Sequence, residues 1–394
     1  MNIILPFKKL IKIIKWISIA SLIGIVGGLS SVIMAIIIEY FPQKHNILLI
    51  PIIFFVAGLF VDHIYELKGS GIDRVLKALN TNEKLTWFRG VLKILLAGAV
   101  IAVGGSAGKE GPCVQSSASF ADELYRLLKL KNRELVIITG IAGGLSGAFS
   151  APLGTAILAC EIIEHENFNY INLIPPIVSS VVGYLIFYII TGRKHLFNLR
   201  LTYTITPHDF FLFIVGAFFC SLIAHIYIKT YKKISLTFDS FNLPYCIKTL
   251  IGGILVAVIA YFIPEIMGMG LELTKELFLV ESFSLLFLIM LLVGKMLATS
   301  FTVGSGTPGG LVFPSMCIGA ISGMIFGTLV GDCSAPYIVL GIATTLSATT
   351  NAPLGGAVLC TEIFGFDFAV PSSIGAVIGY QMTKFETIFK YIRF

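Results

Sequence analysis

The residues best suited to chemistry lie in three glycine-rich segments: Gly69-Ser70-Gly71-Ile72-Asp73, Gly108-Lys109-Glu110-Gly111-Pro112 and Gly309-Gly310-Leu311-Val312-Phe313-Pro314. Each precedes a run that reads as a helix. A helix start presents N–H groups without partners and a partial positive charge, so it attracts anions. Glycine lets the backbone turn tightly and approach an ion. Pro112 and Pro314 fit a first helical turn, where no N–H is needed. Gly69, Gly71, Gly111 and Gly310, with Ser70 and Lys109, are therefore candidates to hold an anion mainly by dipoles and hydrogen bonds. Glu110 stands out among them. A carboxylate at a helix start takes an anion's place, and when protonated or displaced it leaves that place open. Glu110 is thus a candidate gate and proton carrier. Complementing the helix dipole is the simpler role for such a glutamate, but a carboxylate inside a membrane segment is costly and usually functional.

The elements that must position these segments are membrane helices. Of 394 residues, 56% are hydrophobic, only 13% are charged and 39 are glycine; the mean hydropathy is +0.91. This composition excludes disorder, a nucleic-acid partner and an ordinary soluble enzyme. A spanning helix needs roughly 20 residues, and long apolar runs include Trp16 to Ile38, Tyr170 to Ile190, Phe210 to Ile228 and Leu285 to Ala298. Val136 to Phe149 and Ile338 to Ser347 are too short to span alone, a pattern of re-entrant or broken helices around an internal site. Lys8, Lys9, Lys12 and Lys15 precede the first run, and Lys384, Lys390 and Arg393 follow the last. Both ends are therefore expected on the cytoplasmic side. The first run lacks a cleavage-site pattern and reads as a retained helix. The seven cysteines show no CxxC spacing, and the segment from Glu161 to His165 only superficially approaches an HxxEH zinc pattern. With no P-loop either, no metal or cofactor is expected, and transport would have to run on gradients.

The strongest organising signal is an internal repeat. Ala142 to Ile162 and Ala343 to Ile363 share 11 of 21 positions at an offset of 201. Gly69-Ser70-Gly71-Ile72 recurs as Gly268-Met269-Gly270-Leu271 at an offset of 199, and Pro112 recurs as Pro314 at 202. The expected division is an N-terminal cytoplasmic segment (1–15), a first membrane repeat (16–191), a linker (192–208), a second repeat (209–384) and a C-terminal segment (385–394). Matched short helices in two repeats point to a site between them.

GSGI, GKEGP and the duplicated APLG segment together resemble the CLC family of chloride channels and chloride/proton antiporters, over about residues 15 to 390. The resemblance implies an all-α polytopic fold of two inverted repeats with tilted and broken helices. It also implies a homodimer with one anion pathway per subunit, in a prokaryotic plasma membrane, and without the C-terminal regulatory domain of some members. The chloride ion, the proton and the lipid bilayer are the expected partners. By the same resemblance, Ser70 matches the serine that binds the central anion and Glu110 the external gating glutamate. Leu311, Val312 and Phe313 match the stretch whose backbone amides face the ion, and the family phenylalanine there falls on Val312. The family tyrosine aligns best with Phe389, which keeps the ring but loses the hydroxyl; Tyr391 and Tyr380, at poorer spacing, are the alternatives. Asp73 replaces the proline of GSGIP. The internal proton-transfer glutamate of antiporters falls on Ile162, which leaves Glu161 and Glu164 as candidates for an internal proton path. Chloride/proton antiport is the expected activity. A passive voltage- or pH-gated chloride channel is the alternative, and fluoride/proton antiport a more distant one.

Overall fold

The computed structural model describes residues 4–40, 47–163, 170–192, 195–197, 199, 201–280 and 283–392. Its first eight helices are α1 (Ile4–Tyr40), α2 (Leu49–His63), α3 (Gly71–Asn80), α4 (Trp87–Ala102), α5 (Glu110–Leu127), α6 (Arg133–Phe149), α7 (Pro152–Ile163) and α8 (Ile174–Thr191). Eight more follow: α9 (Pro207–Ser240), α10 (Tyr245–Phe262), α11 (Leu271–Leu279), α12 (Leu285–Gly304), α13 (Val312–Val330), α14 (Ala335–Thr350), α15 (Pro353–Phe364) and α16 (Ala369–Thr383). Among the described residues every named element is helical.

Among the described residues, six stretches are long and apolar enough to cross a membrane: Ile13–Tyr40, α8, α9, α10, α12 and α13. The runs that look too short to span form α6 and α14, and nearly every residue of each is buried. Helices apolar on all sides need neighbours on all sides, and these two receive them from other helices, α6 from α1, α5 and α8, and α14 from α9, α13 and α16.

The repeat is visible in the backbone as well as in the sequence. Ser150 and Asn351, which end α6 and α14, take left-handed conformations with φ of 55° and 56°. Gly104 and Gly306, in the loops before the Gly108 and Gly309 segments, have φ of 108° and 104°. Only glycine enters that region cheaply.

The two copies also hold each other. Glu161, on α7, accepts the N–H groups of Leu354 and Gly355 at 3.1 and 2.6 Å, at the start of α15. Glu362, on α15, accepts those of Leu153 and Gly154 at 3.3 and 2.8 Å, at the start of α7. Each carboxylate caps the partner repeat's helix, where its charge also complements the dipole.

Candidate functional site: a carboxylate at the meeting point of three helix starts

The glycine segments meet one another before their helices begin. Gly108 and Gly310 exchange backbone hydrogen bonds of 2.9 and 2.7 Å. Gly69 donates to the Gly306 carbonyl at 3.0 Å, and Gly309 donates to the Gly69 carbonyl at 3.3 Å. These bonds bring the starts of α3, α5 and α13 together. The approach is too close for side chains. A Cβ on Gly71 would collide with the Gly111 backbone, and one on Gly111 would stand 3.0 Å from the Gly310 Cα.

Glu110 is the first residue of α5 and is fully buried. Its side chain crosses to the other repeat, where Oε1 accepts the N–H of Val312, the first residue of α13, at 2.6 Å. Oε2 has no hydrogen-bond partner among the described residues. A Cβ on Gly108 or Gly310 would run into the carboxylate itself. Those two glycines therefore make the space that the carboxylate fills, against the N–H groups that would serve an anion.

Ser70 is the N-cap residue of α3, yet its hydroxyl makes no capping bond. It is 2% exposed, and its Oγ has no partner among the described residues. An N-cap serine normally satisfies its own helix, so this hydroxyl is a free donor at the meeting point. Leu311 is the N-cap of α13, and Phe313 stacks on Phe149 with centroids 4.4 Å apart. Lys109 Nζ lies over the rings of Phe187 and Phe313 at 5.4 and 5.6 Å. It borders a cavity of about 330 Å³ that is also lined by Glu39, Glu265, Glu272 and Glu276.

Phe389 is buried in the same core cluster as Leu311, Val312 and Phe313. Its neighbours hold the chain end in place. Ile388 donates its N–H to the Thr349 carbonyl at 3.0 Å, and the Lys390 N–H reaches Asp73 Oδ1 at 2.8 Å. Asp73, an unexpected neighbour for an anion, thus fastens the segment that carries Phe389 to the first turn of α3.

A family model described as "Voltage gated chloride channel" matches residues 52–384. The chain belongs to the CLC family. It is 88% identical, over the whole of both chains, to the uncharacterized protein MJ0305 of Methanocaldococcus jannaschii. It is 26% identical to the H(+)/Cl(-) exchange transporter ClcA of Vibrio campbellii, over 83% of this chain and 74% of that one. The solved structure of a CLC-type fluoride/proton antiporter superposes with a TM-score of 0.81 at 20% identity, over 96% of each chain. The CLC fold is therefore that of this chain, an integral multi-pass protein from a family of anion transporters and channels rather than enzymes.

Within this CLC protein the remaining candidates fall in different places. The fold brings Gly69, Ser70, Gly71, Glu110, Gly111, Gly310, Leu311 and Val312 to one point, with Lys109 and Phe313 at its edge. Glu161 is engaged through both oxygens as the α15 cap. Ile162 is buried in the core. Glu164 lies outside the described residues. Among the described residues, no group of three or more His, Cys, Asp or Glu side chains is placed to hold a metal ion.

Two further residues escape motif reading. Lys93 on α4 and Lys295 on α12 are completely buried. Lys93 Nζ donates to the Lys68 carbonyl at 3.2 Å, and Lys295 Nζ donates to those of Ile266 and Gly268, both at 2.8 Å. Each ammonium pins the loop before α3 or α11. A lone lysine inside each of two apolar runs, 202 residues apart, was the available signal.

Proposed function

We propose that the protein exchanges chloride for protons across a membrane, with Glu110 as the moving gate. The observation that carries this reading is the two-sided state of the carboxylate: one oxygen holds the α13 start and the other has no partner among the described residues. Protonation weakens its hold on the Val312 N–H, because the neutral acid is the poorer acceptor. The side chain then yields, and chloride takes the N–H groups of α5 and α13 with the Ser70 hydroxyl. Loss of the proton reverses the exchange. Dipoles bind the anion without a full counter-charge, so it can leave again. The 26% identity to an H(+)/Cl(-) exchange transporter supports this substrate pair. The reading includes a homodimer with one pathway per subunit and both termini in the cytoplasm.

Passive chloride conduction is the second reading, and Ile162 favours it. The apolar Ile162 removes the carboxylate that would relay protons between Glu110 and the inner side at that position. Purified protein in liposomes decides between them. A chloride gradient drives protons uphill if the two are exchanged, whereas a reversal potential that follows chloride alone, whatever the pH gradient, establishes the channel. Replacing chloride by fluoride in the same assay identifies the anion.

A further inference from the structure

Helix α9 carries a polar stripe that none of the motifs contains. Tyr227, Tyr231, Ser235 and Asp239 are spaced four residues apart, so they follow one slowly turning face. At 1.5 Å per residue the stripe is about 18 Å long. Tyr227, Tyr231 and Ser235 are buried, at 0%, 2% and 3% exposure. The Tyr227 hydroxyl has no hydrogen-bond partner among the described residues. Leaving a buried hydroxyl unpaired costs about 1–3 kcal/mol, a cost that phenylalanine would avoid.

The ends of the stripe meet the two places a proton must visit. Tyr227 lies beside the Ser315 side chain of α13 and within electrostatic reach of Glu110. Tyr231 lies within electrostatic reach of Tyr227, Asp73 and Asp239, with the Ser235 side chain beside it. Asp239 is bound to Lys68 at 2.5 Å and to Lys390 at 2.9 Å. The C-terminal flank of α9 also borders an open cavity of about 490 Å³, lined by Lys229, Lys232, Lys233 and Glu386, and at the end of the stripe the Asp239 side chain is 30% exposed, so water reaches it there. Asp73, Asp239 and Glu386 are the acids at this end, and Lys68, Lys229, Lys232, Lys233 and Lys390 the bases.

We propose that the Tyr227–Tyr231–Ser235 stripe is the inner limb of the proton path, in place of the acid absent at Ile162. This rests on the exchange reading above. In one transfer the Glu110 carboxyl O–H breaks and its proton passes to the Tyr227 oxygen. The Tyr227 hydroxyl proton passes to Tyr231, that of Tyr231 to Ser235, and that of Ser235 to water beside Asp239, with water bridging wherever side chains do not touch. Each hydroxyl ends with one proton, Glu110 is left as carboxylate, and one proton has moved. No tyrosinate need form.

Proton and chloride fluxes measured together from liposomes test this. Tyr227→Phe and Tyr231→Phe keep the ring and remove the hydroxyl. Each is expected to lower protons moved per chloride by about tenfold, equal to about 1.4 kcal/mol on the transfer barrier. Ser235→Ala should lower the ratio less, since water can replace a small hydroxyl. Tyr261→Phe, on an exposed position of α10, should leave it unchanged. The chloride-dependent melting temperature of each variant reports folding separately. A wild type that exchanges protons while both Phe variants keep its full ratio overturns the relay alone. A wild type that moves chloride without protons overturns the exchange reading and the relay together.

Discussion

The two repeats share a backbone and differ in what they put on it. In the first, the α3 start carries Ser70, with an unpaired hydroxyl, and the α5 start carries Glu110. In the second, the α11 start carries Met269 and Gly270, and the α13 start carries Leu311 and Val312. The first repeat supplies the reactive side chains, and the second supplies bare N–H groups for them to meet. The α11 start is turned to a different task, lining a cavity with Glu265, Glu272 and Glu276. Duplication thus built a symmetric frame, and the chemistry depends on breaking its symmetry. Where both copies do the same mechanical job the side chains stay alike, as in Glu161 with Glu362 and Lys93 with Lys295.

The largest test of that asymmetry removes its charge. Glu110→Gln should abolish proton movement while chloride still crosses, read as proton flux under a chloride gradient; persistent uphill proton movement would remove Glu110 from the gate. Next come the glycines that shape its berth. Gly310→Ala places a methyl where the carboxylate lies, so it should hold the gate displaced and uncouple chloride from protons. Gly268→Ala, in the second repeat, meets nothing within 4 Å but has a φ of +64°. It should cost about 1–2 kcal/mol of stability from backbone strain and leave coupling intact. Equal uncoupling by both would break the comparison.

A smaller effect separates Ser70 from its counterpart. Ser70→Ala should weaken chloride binding by about 1 kcal/mol, the net worth of one hydrogen bond, without lowering the melting temperature in chloride-free buffer. Met269→Ala should leave chloride affinity as it was in the same titration. The reciprocal caps give a matched pair. Glu161→Gln and Glu362→Gln should each cost about 1 kcal/mol of stability, by similar amounts; a much larger loss of coupling for Glu161→Gln would return it to the proton path. The smallest effect concerns Arg74, which anchors α3 and which Leu273 replaces in the second repeat. The Arg74 guanidinium, bound to Glu83, holds that carboxyl below its ordinary 4.5. This contribution is full above the unfolded value and fades as pH falls through the lower folded one. Glu83→Gln should flatten the acid side of the stability profile slightly.

Much of this site can be read without coordinates, because its parts are local. Glycine before a helix, proline in its first turn and a lone acid in an apolar chain are chemical statements made over five residues. The repeat is legible for a similar reason, since shared residues at one offset need no geometry. The neighbours of each part are not legible. Nothing in GKEGP says that Glu110 reaches across to Val312 rather than capping α5. Nothing in the Glu161 segment says that its carboxylate belongs to α15, 193 residues further on. Ser70 looks like a helix cap, and only the missing capping bond marks it as a free donor.

The sequence by itself therefore determined the class, the duplication and the residues that can bind or carry charge, because composition, periodicity and side-chain chemistry are properties of the chain. Tertiary structure decided which charges are satisfied and by whom. It joined three helix starts from distant segments, spent Glu161 on a cap, and buried Tyr227, Tyr231 and Ser235 along one face of α9. The physical reason is that hydrogen bonds and dipoles act over a few ångströms. Their partners here lie tens to hundreds of residues away along the chain, and only folding brings them within range.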